Sequence, residues 1–167
     1  EDVTRKCATA LRVKDPALIL QVEPAPGIEA AAASLISPND TVLNLASGVY
    51  GKGFGCWSAR YHKDMVEIEV PYNEAIDPGQ VADAFRKRPD IKVVSLVHHD
   101  TPSGTINPAR EIGQIVREHD GLLIVDAVSS FGGMDIHPDD CFADIFITGP
   151  GKCLGAAPGL TIMSVTD

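Results

Sequence analysis

Two residues in this chain stand where a ligand could be bonded and held. Lys152 lies in the tight run Gly149-Pro150-Gly151-Lys152, and Asp126 directly follows the apolar run Leu122–Val125. A second apolar run, Ala143–Thr148, leads into the lysine loop. Both runs read as strands, and ligands of an open α/β sheet bind at its carboxyl edge. A lysine there can bond an aldehyde as a Schiff base. A partly desolvated carboxylate needs a cationic partner and can keep a heteroaromatic nitrogen protonated. Together these are the two demands of pyridoxal chemistry. On spacing alone each residue also has a plainer reading, Lys152 as a solvated loop residue and Asp126 as a turn or capping acid.

Further stretches make the pattern more specific: Glu23-Pro24 with Gly27-Ile28-Glu29, Leu43–Gly55, His98–Asn107, Asp126–Gly133 and Gly149–Gly159. On these motifs the chain, from about Ile19 onward, resembles the class V, fold-type I aminotransferases of the alanine/serine–glyoxylate group. The resemblance implies that Lys152 is the Schiff-base nucleophile and the base that moves the proton during transamination. Both roles need an amine whose pKa falls through desolvation or a nearby cation. It further implies that Asp126 partners the pyridine nitrogen, that Tyr50 stacks on the ring and that Val128 packs on the opposite face. Thr101 and Ser103 would pass near the ring hydroxyl; of the adjacent His98 and His99, one would support the substrate pocket, with His99 the candidate, and the other would be structural. No spacing joins these histidines to His137, Asp139 or Cys141 as metal ligands, so no metal is expected. The Gly51–Gly55 series lacks the order of a dinucleotide-binding loop.

One departure bears on the substrate. Phosphate-binding relatives carry a Ser, Gly and Thr-rich loop after the first strand, and the next helix turns its N-terminus to the phosphate, where anions are favoured. Here that loop is Val22-Glu23-Pro24-Ala25-Pro26-Gly27, with an acid, two prolines that lack donors and no hydroxyl. A carboxylate facing a phosphate dianion is unfavourable, whereas Glu23 could accept a hydrogen bond from a free hydroxymethyl group. The site therefore looks built for unphosphorylated pyridoxamine or pyridoxal, and the reaction that the resemblance implies moves an amino group from pyridoxamine to pyruvate, giving pyridoxal and L-alanine. Pyridoxal or pyridoxamine then binds as a substrate at Lys152. The alternative is an alanine/serine–glyoxylate aminotransferase that uses pyridoxal 5'-phosphate. Pyruvate follows from the resemblance alone, because no arginine present matches those that grip the acceptor's carboxylate.

Residues 1–167 suffice for one domain with a sizeable core. The resemblance implies that they form the large domain of a longer protein, without its N-terminal arm or smaller C-terminal domain. It also implies a homodimer or homotetramer. A net charge of -9 argues against nucleic acid and anionic membranes as partners. No apolar run nears the ~20 residues of a membrane span. Cys7, Cys56, Cys141 and Cys153 form no CxxC pair, as expected of reduced thiols in a cytoplasmic protein.

Positioning Lys152 and Asp126 requires a scaffold, and the periodicities supply one. Helices are expected over Asp2–Val13, Gly27–Ile36, about Gly53–His62, Asp77–Arg88, with Pro78 in its first turn, and from Asn107 to about His119, with Asn107 as cap. Strands are expected over Ala17–Val22, Thr41–Leu45, Met65–Val70, Ile91–Val97, Leu122–Val125, Ala143–Thr148 and Leu160–Val165. Ser47–Gly55 reads as a glycine-rich loop. Strands alternating with helices at this spacing give an α/β fold, a mainly parallel seven-stranded sheet with flanking helices.

Overall fold

A computed structural model describes residues 2–166. Seven strands form the main sheet: β1 (Leu18–Leu20), β2 (Thr41–Ala46), β3 (Asp64–Glu69), β4 (Ile91–Val97), β7 (Leu122–Asp126), β8 (Ile145–Thr148) and β9 (Thr161–Val165). Their spatial order is β1-β9-β8-β7-β4-β2-β3. β9 runs antiparallel to both β1 and β8, and the remaining pairs are parallel. The mainly parallel α/β sheet expected from the sequence is the one observed. A two-stranded hairpin, β5 (His99–Asp100) with β6 (Thr105–Ile106), rises from the end of β4. The sequence reading missed it because strands of two residues carry no periodicity.

The helices are α1 (Asp2–Leu11), α2 (Pro24–Leu35), α3 (Gly48–Ser58), α4 (Pro78–Lys87) and α5 (Ala109–Glu118). Strand side chains alternate between the two faces. Leu43, Leu45, Val94, Leu96, Leu123 and Val125 enter a core with residues of α1, α4 and α5. Val42, Val93, Ile124, Ile145 and Ile147 enter a second core with Ile28, Ala32 and Phe54 of α2 and α3. With both faces covered, β2 and β4 read as near-continuous apolar runs.

Three of the differences from expectation have a clear physical reason. α2 starts at Pro24 rather than Gly27, because prolines fit the first helical turn, where N–H groups lack helical partners. The Ser47–Gly55 stretch is mostly helix, not loop. Its glycines let α3 lie against β2: a Cβ at Gly51 would stand 2.8 Å from the Leu45 carbonyl, and one at Gly55 2.8 Å from Asn44 Nδ2. Asn107 does not cap α5, since Pro108 holds that position. Its buried side chain instead donates to the Val97 carbonyl and accepts from the Ile76 N–H, tying β4 to the segment before α4. Asp77 does cap α4, accepting from Gly79 N–H with Pro78 in the first turn.

Candidate active site

The parallel strands bring their carboxyl ends to one edge. Asp126 ends β7, Gly149 follows β8, and the starts of α2 and α3 follow β1 and β2. Lys152 sits on a turn closed by Gly155 N–H to the Lys152 carbonyl and by Ala156 N–H to the Pro150 carbonyl, each 2.9 Å. Gly149 lets this turn approach α2, since a Cβ there would lie 2.6 Å from Pro24 Cγ. The exposed Lys152 ammonium donates to Thr101 Oγ1 at 3.1 Å and stands 5.3 Å from the centre of the Tyr50 ring. Amine, aromatic face and hydroxyl thus converge from three separate segments.

Asp126 is the last residue of its strand and is half-buried. Its Oδ1 accepts from the Val128 N–H at 2.8 Å. Burial pushes its carboxyl up to about 6, aided by the charge of Asp100 and opposed by that hydrogen bond and by Lys152. A carboxylate so placed favours a cationic partner, because pairing offsets its desolvation.

A cavity of about 270 Å³ is lined by Glu23, Tyr50, Val128, Pro150, Lys152 and Leu160. That is near the lower limit of ordinary small-molecule pockets, roughly 300 Å³. Four residues singled out in the sequence therefore share one wall system. Asp126 opens into a second, narrower cavity beneath α3 that shares Tyr50 and includes Phe54 and Trp57. Glu23 is the cap residue of α2, yet its side chain makes no capping hydrogen bond. Its backbone is fixed instead, with Thr161 Oγ1 of β9 3.0 Å from both the Val22 and Glu23 carbonyls.

The remaining expected residues are arranged differently. Ser103 is turned away from the cavity, its Oγ donating to Asp100 Oδ2 at 2.8 Å. His99 Nδ1 lies 2.9 Å from Ser129 Oγ, whose hydroxyl donates to the His99 carbonyl. His98 is buried against Ser130 Oγ at 2.8 Å, and burial, then the neighbouring His99, lowers its pKa to about 4. It is a neutral structural residue at ordinary pH. Among the described residues, no three His, Cys, Asp or Glu side chains gather as a metal-binding group.

The sequence reading missed Asp100. It is fully buried and accepts hydrogen bonds from the Tyr50 N–H at 3.0 Å, the Ser103 N–H at 3.1 Å and the Ser103 hydroxyl. The available signal was local: Asp100 opens Asp-Thr-Pro-Ser-Gly, where the acid's side chain can bond the backbone of its own turn.

Residues 25–167 match the model of the family described as aminotransferase class-V. The chain is 64% identical over 167 residues to a pyridoxamine–pyruvate transaminase of Mesorhizobium japonicum, covering 100% of this chain and 42% of that protein. It is 36% identical over 142 residues to an (S)-ureidoglycine–glyoxylate transaminase of Bacillus subtilis, covering 84% of this chain and 34% of that one. The crystal structure of pyridoxamine–pyruvate aminotransferase from Mesorhizobium loti superposes with a TM-score of 0.98 at 63% identity, over 99% of this chain and 42% of that one. An alanine–glyoxylate aminotransferase from Nostoc sp. gives 0.93 at 25% identity, over 99% of this chain and 44% of that one. The chain spans less than half the length of each of these relatives.

Proposed function

The chain belongs to the class V aminotransferase family, and from that premise we propose that it serves a transaminase moving an amino group from pyridoxamine to pyruvate. The products are pyridoxal and L-alanine, and the ring compound is a substrate that comes and goes at Lys152. The family is one of pyridoxal-phosphate-dependent enzymes. The observation that carries the finer reading is Glu23: it lines the same cavity as Lys152, at a helix start where two prolines remove donors.

That helix start is where a phosphate would have to lie, and its chemistry suits a neutral group better. Pro24 and Pro26 remove two of the first free N–H groups, and Glu23 adds a negative charge. A hydroxymethyl group would donate to Glu23, whereas a phosphate would be repelled. The identity to the Mesorhizobium transaminase supports the same substrate.

A bound pyridoxal compound supplies an electron-withdrawing ring that stabilises the carbanion formed on proton loss. The chain's own groups would do the rest. The Lys152 amine holds the aldehyde form and moves the proton at the reacting carbon. Asp126, from the adjoining narrower cavity that shares Tyr50, would hold a proton on the ring nitrogen, with Val128 N–H orienting the carboxylate. Tyr50 and Val128 face the cavity that the ring would fill, and Thr101 steadies the Lys152 amine between steps. This cavity can sort ring compounds; the acceptor pyruvate rests on the relatives.

The test uses the full-length protein, incubated with pyridoxal and reduced with borohydride. Peptide mapping should find one stable adduct, at Lys152, and pyridoxamine plus pyruvate should yield alanine. Failure to label Lys152, or adducts scattered over surface lysines, would remove the reading.

A further inference from the structure

Asp100 carries more contacts at the site's border than any role assigned above explains. It lies on the β5–β6 hairpin, next to Thr101, which receives the Lys152 amine. One carboxylate oxygen accepts from the N–H of Tyr50, the third residue of α3. The other accepts from both the N–H and the hydroxyl of Ser103 across the turn. The residue that would ordinarily cap α3, Ser47, turns its hydroxyl to the Glu74 carbonyl, so Asp100 does the capping from a distant segment. Room for it comes from Gly48, which has φ +72° and whose absent Cβ would sit 2.2 Å from the Asp100 carboxyl. A fully buried carboxylate is retained only where hydrogen bonds or charge offset its desolvation.

We propose that Asp100 is a positioning residue of the ring site, locking the Tyr50 turn of α3 to the Thr101 hairpin so that aromatic face and lysine anchor move as one unit. The inference rests on the reading of this cavity as a pyridoxal site. Ser103 accordingly serves Asp100 and not the ring hydroxyl. A purely structural residue would alter stability alone. Asp100 also adds negative charge that helps raise Asp126 to about 6. The other charge acting on Asp126 is Lys152, which opposes this; His98, whose backbone N–H bonds the Asp126 carbonyl, is neutral in that range with its ring on Ser130, and His99 is turned to Ser129.

The experiment compares wild-type full-length protein with Asp100→Asn, which keeps the shape and removes the charge. Pyridoxal binding is titrated across pH, with folding followed by circular dichroism. The expected result is binding weakened about tenfold or more at neutral pH, as for loss of charge-assisted hydrogen bonds. The low-pH limb of binding should also move to lower pH. A folded Asp100→Asn with wild-type affinity and an unmoved limb overturns the proposal. If wild type itself does not bind pyridoxal, the reading of the cavity fails instead. Should Asp100→Asn not fold, Ser103→Ala decides, since it removes one donor and leaves the charge: weaker binding with the limb in place supports the proposal, and unchanged binding overturns it.

Discussion

Two helix starts, those of α2 and α3, border the same cavity and each is furnished with a carboxylate, but the two acids are used in opposite ways. Asp100 at α3 is buried and fully engaged, accepting three hydrogen bonds from backbone and hydroxyl. Glu23 at α2 is exposed and makes no side-chain hydrogen bond to a described residue. A carboxylate whose lone pairs are committed to the protein fixes geometry. One left uncommitted at a ligand cavity, beside prolines that remove competing donors, can read the ligand. On the proposed function, the same residue chemistry divides into scaffold and selector according to what it already bonds.

The contrast can be broken from several directions. The largest effect should come from a third acid at this edge, Asp126. Asp126→Asn should lower transamination by the full-length protein roughly a hundredfold or more by removing the proposed ring-nitrogen partner, measured as kcat. It should also stabilise the ligand-free protein. Burial raises the Asp126 carboxyl from 3.8 to about 6, so the native state holds this proton more tightly than the unfolded chain does. That stability is complete below about pH 4 and lost as pH rises through about 6. Asparagine mimics the neutral form, so denaturation at neutral pH should show a gain of about 1–3 kcal/mol. For the same reason wild-type kcat/KM should fall as pH drops through about 6.

Next in size is Gly48→Ala, which strains the positive φ and drives a methyl into Asp100. Thermal unfolding should report a loss of about 1–3 kcal/mol, accompanied by weaker pyridoxal binding. Glu23→Gln should do the reverse: stability unchanged within about 0.5 kcal/mol, as at exposed sites, with pyridoxal affinity down about tenfold. Smallest is Pro26→Ala, which restores one N–H at the start of α2. Its expected effect is a few-fold gain in pyridoxal phosphate affinity, seen most clearly when combined with Glu23→Gln.

These predictions draw on residues of unequal legibility. Lys152 and Asp126 were readable because strands buried on both faces leave long apolar runs, and the residues ending those runs must lie at an edge. Glu23 was readable as a substitution of charge where relatives place donors. The start of α3 was not, because four glycines from Gly48 to Gly55, Gly48 with a positive φ, look like loop in one dimension. The close approach that Gly51 and Gly55 allow, α3 pressing on Leu45 and Asn44, exists only once β2 is in place. Asp100 was hidden for the same reason. Its burial depends on Tyr50, some fifty residues away in sequence, and nothing near it in the chain distinguishes it from a solvated turn acid. Asn107 resembled a helix cap, but its two tertiary bonds, to Val97 and Ile76, took precedence.

The most direct test of the account is a comparison of pyridoxal with pyridoxal phosphate on the full-length protein freed of ligand, following the absorbance change on reaction with Lys152. The account predicts clear preference for pyridoxal, and loss of that preference in Glu23→Gln. Tight binding of pyridoxal phosphate by wild type would contradict it, returning the protein to the phosphate-using aminotransferases and Glu23 to a surface acid without a ligand.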